Sequence, residues 1–266
     1  MVVRTDASTP SLLASVSALK GNDMIDLKNI DTDSLEEMHQ AAELVAETMR
    51  VLQKSETNVV GEILKTSEKF LEWEHIPNED VYDRQSHCQY YYHAHKKSKD
   101  GTDLHDDEHG HFHTFIRGRG MPDGMTPVAL PDYDSDMDIG EVNSHVIGIG
   151  MNEMGIPIRL FTVNRWVTGE TWHKADDVIS LLDQFEIDNI NPSWPVNLWV
   201  TNMVALFKPQ ITELILKRDL QIEEWHKQYP DDDNIFENRE LEITSYLDIN
   251  LADYVTAIDD ELESRG

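Results

Sequence analysis

The apolar and polar positions divide the chain into three regimes. Residues 1–33 carry Ser, Thr, Asp and Gly with scattered apolar residues and no sustained period, the pattern of a flexible N-terminal arm. From Ser34 the apolar positions fall at helical spacing, with Met38, Ala41, Ala42, Val45, Met49 and Leu52 on one face. Ser34 followed by Glu37 has the form of a capping box. A second helix is expected over 58–74, with Val60, Ile63, Leu64, Leu71 and Trp73 inward and Pro77 as its stop.

Between 87 and 164 the period changes to two. Residues 87–95 (HCQYYYHAH), 109–117 (HGHFHTFIR), 142–151 (VNSHVIGIGM) and 156–163 (IPIRLFTV) read as strands. The last pair forms a hairpin through Asn152-Glu153-Met154-Gly155. After 174 the helical period returns. Asp176 or Asp177 caps a helix carrying Val178, Leu181, Leu182 and Phe185. Pro192 and Pro195 open another, with Trp199, Val200, Met203, Val204 and Phe207 inward, and Pro209 should kink or break it. Ile211, Leu214, Ile215, Ile222 and Trp225 continue the spacing, and Leu251, Val255, Ile258 and Leu262 line one face of the tail. Helix, sheet, helix in that order predicts an α+β fold. Its antiparallel sheet has at least four strands over 87–164, packed with N- and C-terminal helices in a single domain, 34–266, with a C-terminal helical extension.

Charge then narrows the function. The 266 residues hold 22 Lys+Arg against 51 Asp+Glu, a formal charge of −29. Such an excess repels nucleic acid phosphates and anionic membrane surfaces. No run of about 18 apolar residues occurs, so no transmembrane helix is expected. Cys88 is the single cysteine, which forbids an intramolecular disulfide and makes the cytoplasm the default location. The acids read as a solvated surface. The partners left are a small-molecule substrate and a second copy of the chain.

Histidine is the second outlier. Nine of the 12 fall between His87 and His173. Side chains alternate along a strand, so His93 and His95 share one face, and His109, His111 and His113 share one face of theirs. The opposite faces carry Cys88, Tyr90, Tyr92 and Ala94, and Phe112, Thr114 and Ile116, which suit a core. If the two strands pair across the loop 96–108, opposed residues stand about 4.5–5.5 Å apart at Cβ. Imidazole nitrogens that bind one ion at about 2.0–2.1 Å need roughly that separation. His93, His95, His109, His111 and His113 are therefore the candidate ligands of a transition metal, zinc, iron or copper. His145 is a further ligand or a half-buried structural histidine; His87 is open in the same way. His105 falls in an acidic stretch that reads as a loop.

A metal-dependent oxidoreductase or hydrolase is the favoured reading, with a non-catalytic metal-binding or regulatory module as the alternative. Tyr91, on the histidine face, is a candidate proton or electron donor, and Glu108 or Glu170 a candidate general base. Arg165 and Trp166, with Glu170 and Trp172, either line a pocket or pin a strand-to-loop transition. Arg117, beside Arg119, either contacts an anion or pairs with nearby acids.

The segments QYYYHAH at 89–95, EHGHFHTFIR at 108–117 and PIRLFTVNRWVTGETW at 157–172 resemble an uncharacterised bacterial family of unknown function, over roughly 35–230. That resemblance brings no activity. Residues 109–115 (HGHFHTF) also resemble the strand motif of the histidine-triad nucleotide hydrolases and transferases, with Gly110 and Thr114 in place of apolar residues. That second resemblance implies His111 as the nucleophile on a nucleotide phosphate, supported by His113 and His109.

Overall fold

Aromatic and β-branched side chains suit a pleated surface packed on both sides, and the segments rich in them form the centre of a sheet. A computed structural model describes residues 25–67, 74–94, 104–131, 133–134 and 136–266, and a two-residue strand at 18–19 by its backbone. The strands are β1 (Ala18–Leu19), β2 (Ile76–Tyr82), β3 (Cys88–Ala94), β4 (Gly110–Arg117), β5 (Asn143–Met151), β6 (Pro157–Val163) and β7 (Ile243–Asp248). Their order is β1-β7-β6-β5-β4-β3-β2. Strands β2 to β7 pair antiparallel, and β1 adds to β7 in parallel.

The four expected strands are the central four, and the class is α+β. Strand β2 (IPNEDVY) exposes a polar middle, and β7 pairs with β6 only after the helical region has intervened, so neither stood out from local pattern. The expected N-terminal arm lies mostly outside the described residues. Within it Leu27–Asn29 makes one 3-10 turn capped by Asp26.

Helix α1 spans Thr32–Lys54. Its cap is Asp31, not Ser34: one Asp31 oxygen accepts the Ser34 amide at 2.9 Å and the other the Ser34 hydroxyl at 2.8 Å. A full carboxylate at the positive end of the helix outcompetes the hydroxyl three residues on. Helix α2 covers only Val59–Leu64, capped by Asn58, and the chain turns after it. Leu71 and Trp73 lie outside the described residues, and Pro77 sits inside β2 instead of ending a helix. Arg165–Thr168 forms the single turn α3. Helix α4 is Ala175–Ser180, and Asp176 and Asp177 occupy its first turn. The cap comes from elsewhere: Asp219 accepts the Ala175 amide at 2.7 Å. Helices α5 (Trp194–Leu206) and α6 (Lys208–Gln228) are separated at Phe207, and Pro209 falls in the first turn of α6. Proline lacks the N–H that an interior turn needs, and a first turn does not miss it. Helix α7 (Leu251–Arg265) closes the chain.

One face of the sheet packs the main core. Tyr90, Tyr92, Phe112, Ile116, Ile147 and Ile149 are buried there against Trp199, Val200 and Met203 of α5, and α1 covers the far side of α5. A helix clasped between sheet and helix must be apolar nearly all round, as α5 is. The Tyr90 hydroxyl donates to Asn197 at 2.6 Å. Among the described residues no helix is long and apolar enough to cross a membrane. The opposite face of the sheet carries the histidines.

Candidate metal centre

Register brings the two histidine strands together. In β3 and β4, Tyr91 is opposite His113 and His93 opposite His111. Directly opposed residues of an antiparallel pair share a face, so four candidate side chains converge on one patch. The next strand leaves space over it. His111 faces Gly150 and His113 faces Gly148 on β5. A Cβ on Gly150 would stand 2.4 Å from Glu108 Oε1, and one on Gly148 would stand 2.5 Å from Phe161 Cζ. The two glycines thus let a carboxylate and an aromatic ring lie directly on the backbone of β5.

His93, His111 and His113 can each present one donor atom such that all three lie within 4.8 Å of one another. The same holds for His105, Glu108 and His111. All are buried except His93, which is half-buried. His111 stands with its ring centroid 4.5 Å from that of His93 and 4.7 Å from that of His113. Its Nδ1 lies 3.1 Å from Glu108 Oε2, and His105 Nδ1 lies 2.8 Å from the same oxygen. Arg159 approaches the other carboxylate oxygen at 3.5 Å and is itself held by Asp248. His113 Nδ1 lies 3.0 Å from His145 Nε2. His113 Nε2 is buried with no hydrogen-bond partner among the described residues.

Burial keeps the His113 and His145 rings neutral. It pushes His113 well below the usual histidine range, helped by His111, His145 and His93 close by, and pushes His145 down to about 3. A neutral imidazole is the form that binds a metal.

The sequence pattern reads His105 as a loop residue and leaves His145 open between a further ligand and a structural histidine. The 3-10 helix Leu104–Asp107 places His105 one turn from Glu108, and i, i+3 side chains eclipse in that geometry. That spacing is legible in the sequence once the loop is read as a turn. His145 needs a different device. Strict alternation puts it on the core side with Ile147 and Ile149. The register shifts between Thr114 and Phe115, so that Phe115 faces His145. Such irregularities re-aim side chains, and nothing local announces this one.

The remaining candidates fall in three places. Tyr91 is on the histidine face, its ring 5.2 Å from that of His113 and stacked on His75 at 3.5 Å, and burial raises its phenol above the usual range. Glu108 is in the group. Glu170 stands behind it: one oxygen accepts the His145 amide at 2.7 Å, the other is buried without a partner among the described residues, and burial pushes the carboxyl up to about 7. His95 lies outside the described residues. His109 precedes β4 and turns to the Tyr92 hydroxyl at 2.8 Å, so the structure does not bring it to the other histidines. His87 bonds to the Tyr82 hydroxyl. Arg117 donates to Gln89 and to the Gly140 carbonyl, at 3.2 and 2.6 Å. Arg165 donates to the Glu170 carbonyl at 3.0 Å and pairs with Glu237. The Trp166 indole donates to the Leu241 carbonyl at 2.8 Å, under Arg239. Arg117 ties the Gly140 loop to the sheet, whereas Arg165 and Trp166 tie α3 to neighbouring loops.

The sequence pattern of the family described as Domain of unknown function (DUF6969) matches residues 39–249. The chain belongs to this family. The DUF6969 match runs from within α1 to just past β7, so both histidine groups lie inside it. No curated protein and no solved structure matches the chain.

Proposed function

We propose that the protein is a metalloenzyme whose His93, His111 and His113 hold a transition metal, zinc, iron or copper, and that its substrate is a small molecule. The observation that carries this reading is His113 Nε2, a fully buried nitrogen without a partner among the described residues, standing beside two more imidazoles. An unpaired buried polar atom costs about 1–3 kcal/mol, and a bound cation repays it. The surrounding bonds suit that use. Glu108 faces His111 Nδ1 and His145 faces His113 Nδ1, the outer contacts that orient a ligating imidazole and leave Nε2 for the metal.

Three nitrogen donors leave a coordination position open. Zinc there supplies a water acidified towards neutrality for hydrolysis, and iron or copper supplies a place for dioxygen. Tyr91 stands beside the same histidines, its ring 5.2 Å from that of His113, and burial keeps its phenolic proton in place, so it would be a proton donor to chemistry there. Glu108, accepting from His111, keeps that ring's tautomer fixed. Elemental analysis of protein purified without an affinity tag is the test. At least about one equivalent of a transition metal is expected, and its loss in a His93→Ala/His111→Ala double variant. A metal-free wild type that takes up no added metal overturns the reading.

A further inference from the structure

His111 belongs to both groups of converging donors, and that double membership carries a second site. We propose that His105, Glu108 and His111 bind a second divalent transition-metal ion, so that the His111 imidazole bridges two metals. The inference rests on the three-histidine centre in one respect: His111 serves both.

The spacing argues for it. Donors held about 2.0–2.1 Å from one ion at tetrahedral or octahedral angles stand roughly 3 Å apart. His105 Nδ1 and His111 Nδ1 lie 2.8 and 3.1 Å from Glu108 Oε2. The three side chains are buried, and they combine two imidazoles with a carboxylate, a set that first-row metals accept. The second carboxylate oxygen faces Arg159, whose charge Asp248 already balances at 2.6 Å. Gly150 provides the room: any side chain there meets Glu108 at 2.4 Å. The nitrogens of an imidazole lie on different edges of the ring, so Nδ1 can serve this group while Nε2 serves His93 and His113.

The proton count closes. His105 binds through Nδ1 and keeps its proton on Nε2. His111 gives its remaining ring proton to solvent and becomes an imidazolate. The added dication is met by two negative ligands, the imidazolate and the Glu108 carboxylate.

Copper(II) titration of the full, metal-stripped chain tests the proposal. About two equivalents are expected for the wild type and about one for His105→Ala. Two copper(II) ions sharing an imidazolate couple antiferromagnetically, so the doubly loaded wild type should show much less than two spins by electron paramagnetic resonance. His105→Ala should show one full spin. A wild type that binds one equivalent, unchanged in His105→Ala, overturns the second site and leaves the three-histidine centre standing. Two equivalents with two uncoupled spins overturn the bridge. No binding at all overturns both. The wild-type spin count needs no variant, so the test survives if His105→Ala fails to fold.

Discussion

His113 has one ring nitrogen on His145 and the other on no partner among the described residues. A chain selected only for stability has an easy alternative at a fully buried sheet position, an aliphatic residue of similar size. Retaining an unsatisfied nitrogen there makes sense if a ligand completes it in the working state. Replacing His113 by Gln should therefore lower metal affinity by about 100-fold or more, since one of three ligands is lost. Thermal unfolding measures this directly. Excess metal should raise the wild-type midpoint by mass action and raise that of His113→Gln by clearly less. An equal shift in both proteins would remove His113 from the ligand set.

Glu170 supplies a second residue-scale prediction, one of pH. Desolvation holds its carboxyl at about 7 against an ordinary 4.5, with Arg218 and the His145 amide opposing that rise. Between those values the folded protein keeps a proton that the unfolded chain has lost. Stability from this group is thus present at low pH and falls as pH rises from 4.5 through 7. Gln keeps an acceptor for the His145 amide and carries no charge. Glu170→Gln should gain on the wild type between pH 5 and pH 8, by up to about 3 kcal/mol at 1.36 kcal/mol per pH unit. Urea unfolding of both proteins at the two pH values checks it; a pH-independent difference would mean the carboxylate is ionised and well solvated.

At the scale of elements, β5 is where backbone and site meet. Gly148 and Gly150 alternate with Ile147 and Ile149, so one face of the strand is core and the other almost bare. The bare face accepts the Phe161 ring and the Glu108 carboxylate. Gly148→Ala should cost about 1–3 kcal/mol by overpacking, because the new methyl meets a fully buried ring. Shrinking the ring makes room, so Phe161→Leu with Gly148→Ala should cost less than the sum of the single changes. Strict additivity in urea unfolding would show that the ring moves aside freely.

The same strand shows what a sequence can and cannot tell. Alternation in β3 and β4 placed His93, His111, His113 and Tyr91 on one face correctly, because parity within a strand is a local property. The shift that swings His145 to them depends on pairing with β4, which is not local. The cap of α4 comes from Asp219 on α6, and β7 finds β6 across the intervening helices. Arg117, Arg165 and Trp166 have the right chemistry for a pocket, but each bonds to a carbonyl or side chain distant in the chain. The 3-10 turn that delivers His105 and Glu108 was within reach, since i, i+3 spacing is visible in a sequence.

For the whole molecule, the acidic excess and the histidine group are coupled through cations. A chain of charge −29 raises the local concentration of any cation near its surface and repels anions. It also repels itself. The ion pairs seen at the surface, such as Arg50–Glu47 and Arg119–Asp138, are exposed and contribute little each. Self-repulsion should therefore dominate the response to salt. Screening shortens from about 30 Å at 0.01 M to about 3 Å at 1 M ionic strength, so sodium chloride should stabilise the fold. The urea midpoint, measured with a chelator present to keep the histidine group empty, should rise steadily across that range. A midpoint that falls with salt would assign the net electrostatic energy of the fold to its ion pairs. The same titration without chelator and with added zinc separates the two cation effects. Screening depends on ionic strength alone, whereas stabilisation through the buried histidines should saturate at stoichiometric metal and disappear in His93→Ala/His111→Ala.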